Sequence, residues 1–326
     1  MIFLAEIVGY DNVAGVEKTL YFSSQAISPM RSGDGARPNQ YYDPRIVDIS
    51  PFTKSMFGTG RTSGSTASGG GELVLTNADG ALDAYHRWGF SGRTCTLYAG
   101  KYEQDFANYS KVLIATLEQP SYAFSAGSEA TLTFRLRDRA RLLEIPIQAN
   151  LYLGTNDGLV GFEGTDDDLL DKPKPLCFGE CYNITPILCN SQVGVYQIHD
   201  GAIEQIVAVY DMGEVITTYT EDLANGRFTL SSAAISAITC TVKGAKPLTY
   251  LSTTADIVQH VLETYGGLLT SDIDTLSIAT LNTDNSAAVG IYLTEDTTIT
   301  AVIDELMLSI GGFWGFDSLS RFLWAG

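Results

Sequence analysis

Residues 71–100, GELVLTNADGALDAYHRWGFSGRTCTLYAG, read as a strand, a turn and a second strand in close succession. Leu73 and Leu75 alternate with polar neighbours, Asn77, Asp79 and Gly80 supply turn chemistry, and Thr94 to Tyr98 resume a β pattern after Gly92 and Arg93. Nothing in the stretch is arranged for catalysis; it announces antiparallel β structure.

The same period of two runs through the flanking sequence. In SEATLTFRLRDRARLL, Ala130, Leu132, Phe134 and Leu136 point one way and Thr131, Thr133, Arg135 and Arg137 the other, with KVLIATLEQPSYAFSA before it as a hairpin partner. IFLAEIVGY and TLYFSS predict a hairpin across the polar turn DNVAGVEK. Residues 31–45, RSGDGARPNQYYDPR, have the Gly, Pro and Asp content of an irregular surface segment, and GTGRTSGSTASGGG at 58–71 has the composition of a flexible loop. These elements predict a first β domain over 1–146.

A second small β domain is expected over 147–246, where PLCFGECYNI, GVYQIHD, IEQIVAVYD, GRFTLS and ITCTVKG are punctuated by turn residues in the manner of a barrel or sandwich. Beyond Leu248 the period changes. Thr253 or Thr254 caps a helix carrying Ile257, Val258, Val261, Leu262 and Tyr265 on one face until Gly266-Gly267, and Thr297-Thr298 opens another with Ile299, Val302, Ile303, Leu306, Met307 and Ile310 until Gly311-Gly312. With the apolar strands GFWGF and RFLWAG, residues 247–326 predict an α+β domain with two packed helices. Its aromatic edge at Trp324 is one that another chain, or a continuation past Gly326, is expected to cover.

Composition narrows the functional classes. In 326 residues, 38 acidic side chains face 20 basic ones, a formal charge of −18 that repels nucleic acid and argues against a phosphate-binding groove. No apolar run is long enough to span a bilayer, and MIFLAEIVGY lacks the basic flank of a signal peptide, so a cytoplasmic site of synthesis is expected, with Cys95, Cys177, Cys181, Cys189 and Cys240 as reduced thiols. The three histidines, His86, His199 and His260, form no His-x-x-x-His pair, and neither a nucleophile elbow nor a P-loop is present. Asp166, Asp167, Asp168 and Asp171 lack EF-hand order and read as a solvated loop. Cys177, Cys181 and Cys189 would bind zinc or an iron–sulfur cluster if His199 or Cys240 folded in as a fourth ligand. On a straight strand, however, Cys177 and Cys181 stand about 13 Å apart, and core packing is the favoured reading.

Two segments carry a family resemblance. The strand ending in Asn-x-Asp-Gly-x-Leu-Asp, followed by Gly-Arg and a strand ending in Gly, resembles the N-terminal domain of central tail hub proteins of long-tailed bacteriophages and gene transfer agents. KPKPLCFGECYNITP at 172–186, followed by VYQIHDGAIEQIVAVYDMG, is similar to a segment of the same proteins. The resemblance implies tail-tube-like antiparallel β-barrel domains with small accessory domains. It further implies a homotrimeric ring that joins the sixfold tail tube and distal tail proteins to a threefold tail tip or central fibre, in a virion baseplate assembled in a bacterial cytoplasm. Such a chain is a structural protein of DNA ejection, lining the channel without sequence-specific nucleic-acid binding, and not an enzyme. Loop residues Tyr41, Tyr42 and Phe57 are the expected interface anchors. Some relatives of this kind carry an iron–sulfur cluster, which keeps the three cysteines in view. The competing readings are a hexameric distal tail ring protein and a carbohydrate-binding or hydrolysing tail-tip module. The latter requires Trp88, Trp314 or Trp324 exposed beside paired carboxylates.

Overall fold

A computed structural model of the chain describes residues 1–52, 54–55, 64–65, 67–68, 70–102, 104–123 and 130–325. It is mainly β, with several antiparallel sheets and a helical C-terminal part. Two compact units form, one from Met1–Leu142 with Gly315–Leu323, the other from Leu143–Trp314 with Trp324–Gly326. Residues 147–246 and 247–326, expected as separate domains, thus share the second unit, except that Gly315–Leu323 returns to the first. Within the first unit that returning segment is held at Ile114, whose N–H donates to Ser318 O at 2.8 Å and whose carbonyl accepts from Ser320 Oγ at 2.8 Å.

The first unit contains β1 (Ile2–Asp11), β2 (Val16–Ser23), β3 (Ile46–Ile49), β4 (Gly71–Thr76), β5 (Thr94–Gly100), β6 (Ser110–Leu117), β7 (Ser121–Ala123) and β8 (Thr131–Arg137). They make one eight-stranded sheet ordered β2-β1-β5-β6-β8-β4-β3, with β7 beside β8. Alternation dictates the core: Leu73 lies opposite Phe134 and Leu75 opposite Leu132, all four fully buried. The two strands of 71–100 do not pair with each other, since β4 sits between β8 and β3 while β5 sits between β1 and β6.

No ladder closes this sheet into the expected barrel among the described residues. Its two ends, β2 and the chain entering β3, meet at a single parallel bridge between Phe22 and Asp43, where Ser23 N–H donates to Asp43 O at 2.8 Å. Arg45, whose N–H would make the next bond of a parallel ladder, instead donates to Asp43 O at 2.9 Å, so the bridge does not propagate.

The second unit opens with the hairpin β9 (Thr155–Asp157) and β10 (Val160–Thr165). It continues with β11 (Leu176–Ile184), β12 (Ile187–Asn190), β13 (Val195–Gln197), β14 (Ile203–Asp211), β15 (Glu214–Ile216), β16 (Tyr219–Asp222), β17 (Arg227–Leu230) and β18 (Ile238–Ala245). Then come α1 (Thr254–Thr264), α2 (Thr275–Asp284), β19 (Gly290–Leu293) and α3 (Ile299–Ser309). A five-stranded sheet, β15-β14-β18-β11-β19, and a four-stranded one, β12-β13-β17-β16, share a core in which Ile206, Val209 and Val242 of the first meet Tyr196, Phe228 and Leu230 of the second. This is the sandwich alternative of the sequence reading.

Three α-helices are present among the described residues, where two were expected. Helices α1 and α3 begin as the sequence indicates, with Thr253 and Thr298 side chains accepting from Asp256 N–H and Ala301 N–H. Helix α2 went unread because its sequence, TLSIATLNTD, mixes threonines through both faces and buries only Ile278 and Leu281.

Candidate functional site

The loop expected to meet neighbouring chains is folded onto its own domain. Asp34 organises it: Oδ1 accepts from Ala36 N–H at 2.9 Å and Arg37 N–H at 2.8 Å, and Oδ2 accepts from Phe106 N–H at 2.6 Å. These backbone donors, Arg37 first and Phe106 next, hold the Asp34 carboxyl below the usual range. Arg37 then reaches across to Glu6 on β1 with two bonds of 2.8 and 2.9 Å, its guanidinium 5.0 Å from the centroid of Phe106. Tyr42 donates to the same carboxylate at 2.8 Å, and Tyr98 of β5 at 3.4 Å. Burial pushes the Tyr42 phenol well up and Tyr98 to about 12.

This geometry separates the three expected anchors. Tyr42 is wholly buried, so its ring serves the core of the first unit and not an interface, while Tyr41 is half exposed. Phe57 lies outside the described residues. Adjacent tyrosines in a Gly- and Pro-rich segment gave no pattern by which to prefer one over the other for burial.

The thiols divide between two cores. Cys177 and Cys181 of β11 share one with Cys240 of β18, whereas Cys189 of β12 packs with Tyr152, Leu169 and Val195. The straight-strand spacing of Cys177 and Cys181 does not apply, because Gly179 between them adopts φ +68° and breaks the alternation. Cys181 Sγ donates to Phe178 O at 3.6 Å, and the neighbouring Cys181 thiol together with burial pushes Cys177 well above the usual thiol range. Burial likewise raises Cys189 to about 11 and Cys240 to about 12. A zinc or iron–sulfur site requires thiolates converging on one point. The set Cys177, Cys181 and Cys189 does not supply that, and among the described residues no group of three or more His, Cys, Asp or Glu is arranged to hold a metal ion.

His199 is buried, and its Nδ1 accepts from the Cys177 N–H at 3.0 Å, which leaves the ring proton on Nε2. Phe178 lies between it and His260, at ring-centroid distances of 5.7 and 6.2 Å. Burial, reinforced by His260, lowers His199 from 6.5 to about 4. Because the folded pKa is the lower one, the unfolded chain binds more protons between these values, and stability falls as pH falls from 6.5 to about 4. At pH 5 the loss is about 2 kcal/mol at 1.36 kcal/mol per unit. Urea unfolding of the second unit at pH 7 and pH 5 should show a fall that is about 2 kcal/mol smaller in His199→Asn, whose amide oxygen replaces the Nδ1 acceptor without titrating, than in the natural chain.

Trp314 and Trp324 are buried, donating to Asp304 Oδ1 at 2.7 Å and Ser277 O at 2.8 Å, and Trp88 is half-buried between Tyr85 and Phe90. None forms the exposed platform that a sugar site requires. The turn of the 71–100 segment is equally architectural: Asn77 donates to Asp83 at 2.7 Å and accepts from Leu82 N–H at 2.8 Å, and Arg45 clamps Asp79 with bonds of 2.8 and 2.7 Å. Among the described residues no helix is long and apolar enough to cross a membrane. Compared with models of protein families, the chain matches none, and it matches no curated protein.

Proposed function

We propose that the chain is a structural virion protein, a trimeric tail hub that joins the sixfold tail tube and distal tail ring to a threefold tip or central fibre. The observation that carries this reading is the order of two hub-like segments, one in each compact unit: 71–100 on β4 and β5, and 172–213 on β11 to β14. Their side chains support strands, turns and cores, which suits parts of a scaffold. An excess of 18 negative charges suits a channel wall past which DNA must move without being held.

The mass of the native assembly tests the reading. A particle of three times 35.2 kDa is expected, and in tail particles a threefold ring. A hexamer would favour the distal tail ring, and a monomer that cleaves glycans would favour the tip module; either would sink the hub.

A further inference from the structure

The hairpin β9–β10 wears its apolar side chains outward. Leu159 at its tip and Val160 beside it are 67% and 73% exposed, and Phe162, Leu153 and Leu170 are exposed around them. A solvent-facing strand normally reverses this pattern.

The orientation is built in. On the inward side Glu163 N–H donates to Asn156 Oδ1 at 2.7 Å, and the Glu163 carboxylate takes Lys174 Nζ at 2.7 Å. Asn190 Nδ2 donates to Gly161 O at 3.0 Å and Gly158 O at 3.3 Å, fastening the hairpin from below. A Cβ at Gly161 would stand 2.6 Å from Asn156 Oδ1, and one at Gly164 2.4 Å from Leu169 Cβ. A shift of register by one residue would drive Val160 and Phe162 into that space, so the apolar face cannot turn inward.

The rim is acidic. Asp157 stands two residues before Leu159, and Asp166, Asp167 and Asp171 follow β10 on either side of Leu170, all four exposed. The Lys174 ammonium beneath is already engaged by Glu163, and the Arg227 guanidinium stands 4.6 Å from the centroid of Phe162, so this ring already carries one cation.

We propose that this face docks a segment of a partner protein whose apolar side chains are flanked by Lys or Arg. The carboxylate rim selects the charge and the Leu159, Val160 and Phe162 surface supplies the burial. The same hairpin of a second copy is a poor occupant, because it would bring Asp157, Asp166, Asp167 and Asp171 onto their own counterparts. An anionic bilayer is repelled for the same reason. The proposal stands on the hairpin alone and does not depend on the hub reading.

The probe is a fluorescent peptide, Lys-Lys-Val-Thr-Val-Thr-Val-Lys-Lys, titrated with the full chain and followed by anisotropy. Saturable binding is expected, at least tenfold weaker for Val160→Asp/Phe162→Asp, for Leu159→Asp, and for a peptide with glutamates in place of the lysines. The Asp166→Asn/Asp167→Asn variant should bind more weakly and with a shallower salt dependence. Amide exchange in 155–165 should slow on binding. All substituted positions are exposed, and an unchanged melting transition checks the fold of each variant. Absence of binding overturns the proposal, as does equal binding of a valine-free Lys-Lys-Thr-Thr-Thr-Thr-Thr-Lys-Lys peptide, which would mean charge alone. It is overturned too if Leu159→Asp changes the mass of the assembly, making the occupant a second copy, or if it abolishes flotation with phosphatidylserine vesicles, making the occupant a membrane.

Discussion

Gly179→Ala should destabilise the second unit by more than about 4 kcal/mol. A Cβ at this position would stand 1.8 Å from Val289 O and 2.8 Å from Val289 C, both backbone atoms of the chain entering β19. That carbonyl is not free to retreat, since it accepts the Glu180 N–H at 3.0 Å, and Gly179 itself lies opposite Gly290 in the β11–β19 ladder. Gly179 also has φ +68°, which costs a residue with a Cβ about 1–2 kcal/mol before any contact is counted. Relieving the overlap means separating β19 from β11, so the total should exceed about 4 kcal/mol, a large part of the 5–15 kcal/mol that typically holds a domain. Gly290→Ala should be nearly as severe, its Cβ meeting Glu180 O at 2.1 Å. Gly213→Ala supplies the control: φ is +82° but nothing lies within 4 Å, so only the conformational cost of about 1–2 kcal/mol should appear. Urea unfolding of the three variants decides the matter. A Gly179→Ala midpoint equal to that of Gly213→Ala would mean that the strands accommodate the methyl group.

This glycine also marks where sequence reading stops. Period-two alternation located β4 and β8, because each buries one face in the same core, and burial of one face is what writes a pattern into sequence. β1, with Ala5 and Ile7 in that core and Ile2 and Leu4 in another, was legible by its apolar run and the polar turn after it. In LCFGECYNI the alternation gives no sign that the chain bends at Gly179, because a left-handed residue inside a strand is dictated by the approach of β19, more than 100 residues away in the chain. Cys177 and Cys181, on either side of that glycine, share one core. Helix α2 was illegible for a different reason. Its burial comes from two side chains, too few to set a stripe. The cap residues Thr253 and Thr298 were legible because capping is local: the hydroxyl serves an N–H three residues ahead, in Asp256 and Ala301. Among the described residues the two ends of the first sheet meet only at the bridge between Phe22 and Asp43, and Arg45, whose N–H turns back to Asp43 O, carries it no further. Asp43-Pro44 was visible from the outset as a turn signal, but that the chain turns away from β2 there requires knowing which strand lies alongside.

Tyr42→Ala should lower the stability of the first unit by about 4 kcal/mol, while Tyr41→Ala should change it by less than about 0.5 kcal/mol. The neighbouring tyrosines differ in everything but chemistry. The Tyr42 ring is fully buried, edge-on to Tyr21 at 5.4 Å and stacked near Phe106 at 6.4 Å between centroids, and its hydroxyl satisfies Glu6 Oε1. Truncation opens a cavity and also takes one donor from a buried carboxylate, leaving Glu6 to Arg37 and the longer bond from Tyr98. Tyr42→Phe isolates the second effect and should cost about 1–2 kcal/mol. For a unit of this size a 4 kcal/mol loss lowers the melting temperature by roughly 8–16 °C. If Tyr42 anchored a subunit interface, Tyr42→Ala would reduce the assembly mass and leave the melting of the dissociated chain unchanged. If instead the melting of the dissociated chain falls and Tyr41→Ala melts like the natural protein, the loop at 24–43 is held by its own domain, and any contact it offers a neighbour is made by the exposed face that Tyr41 occupies.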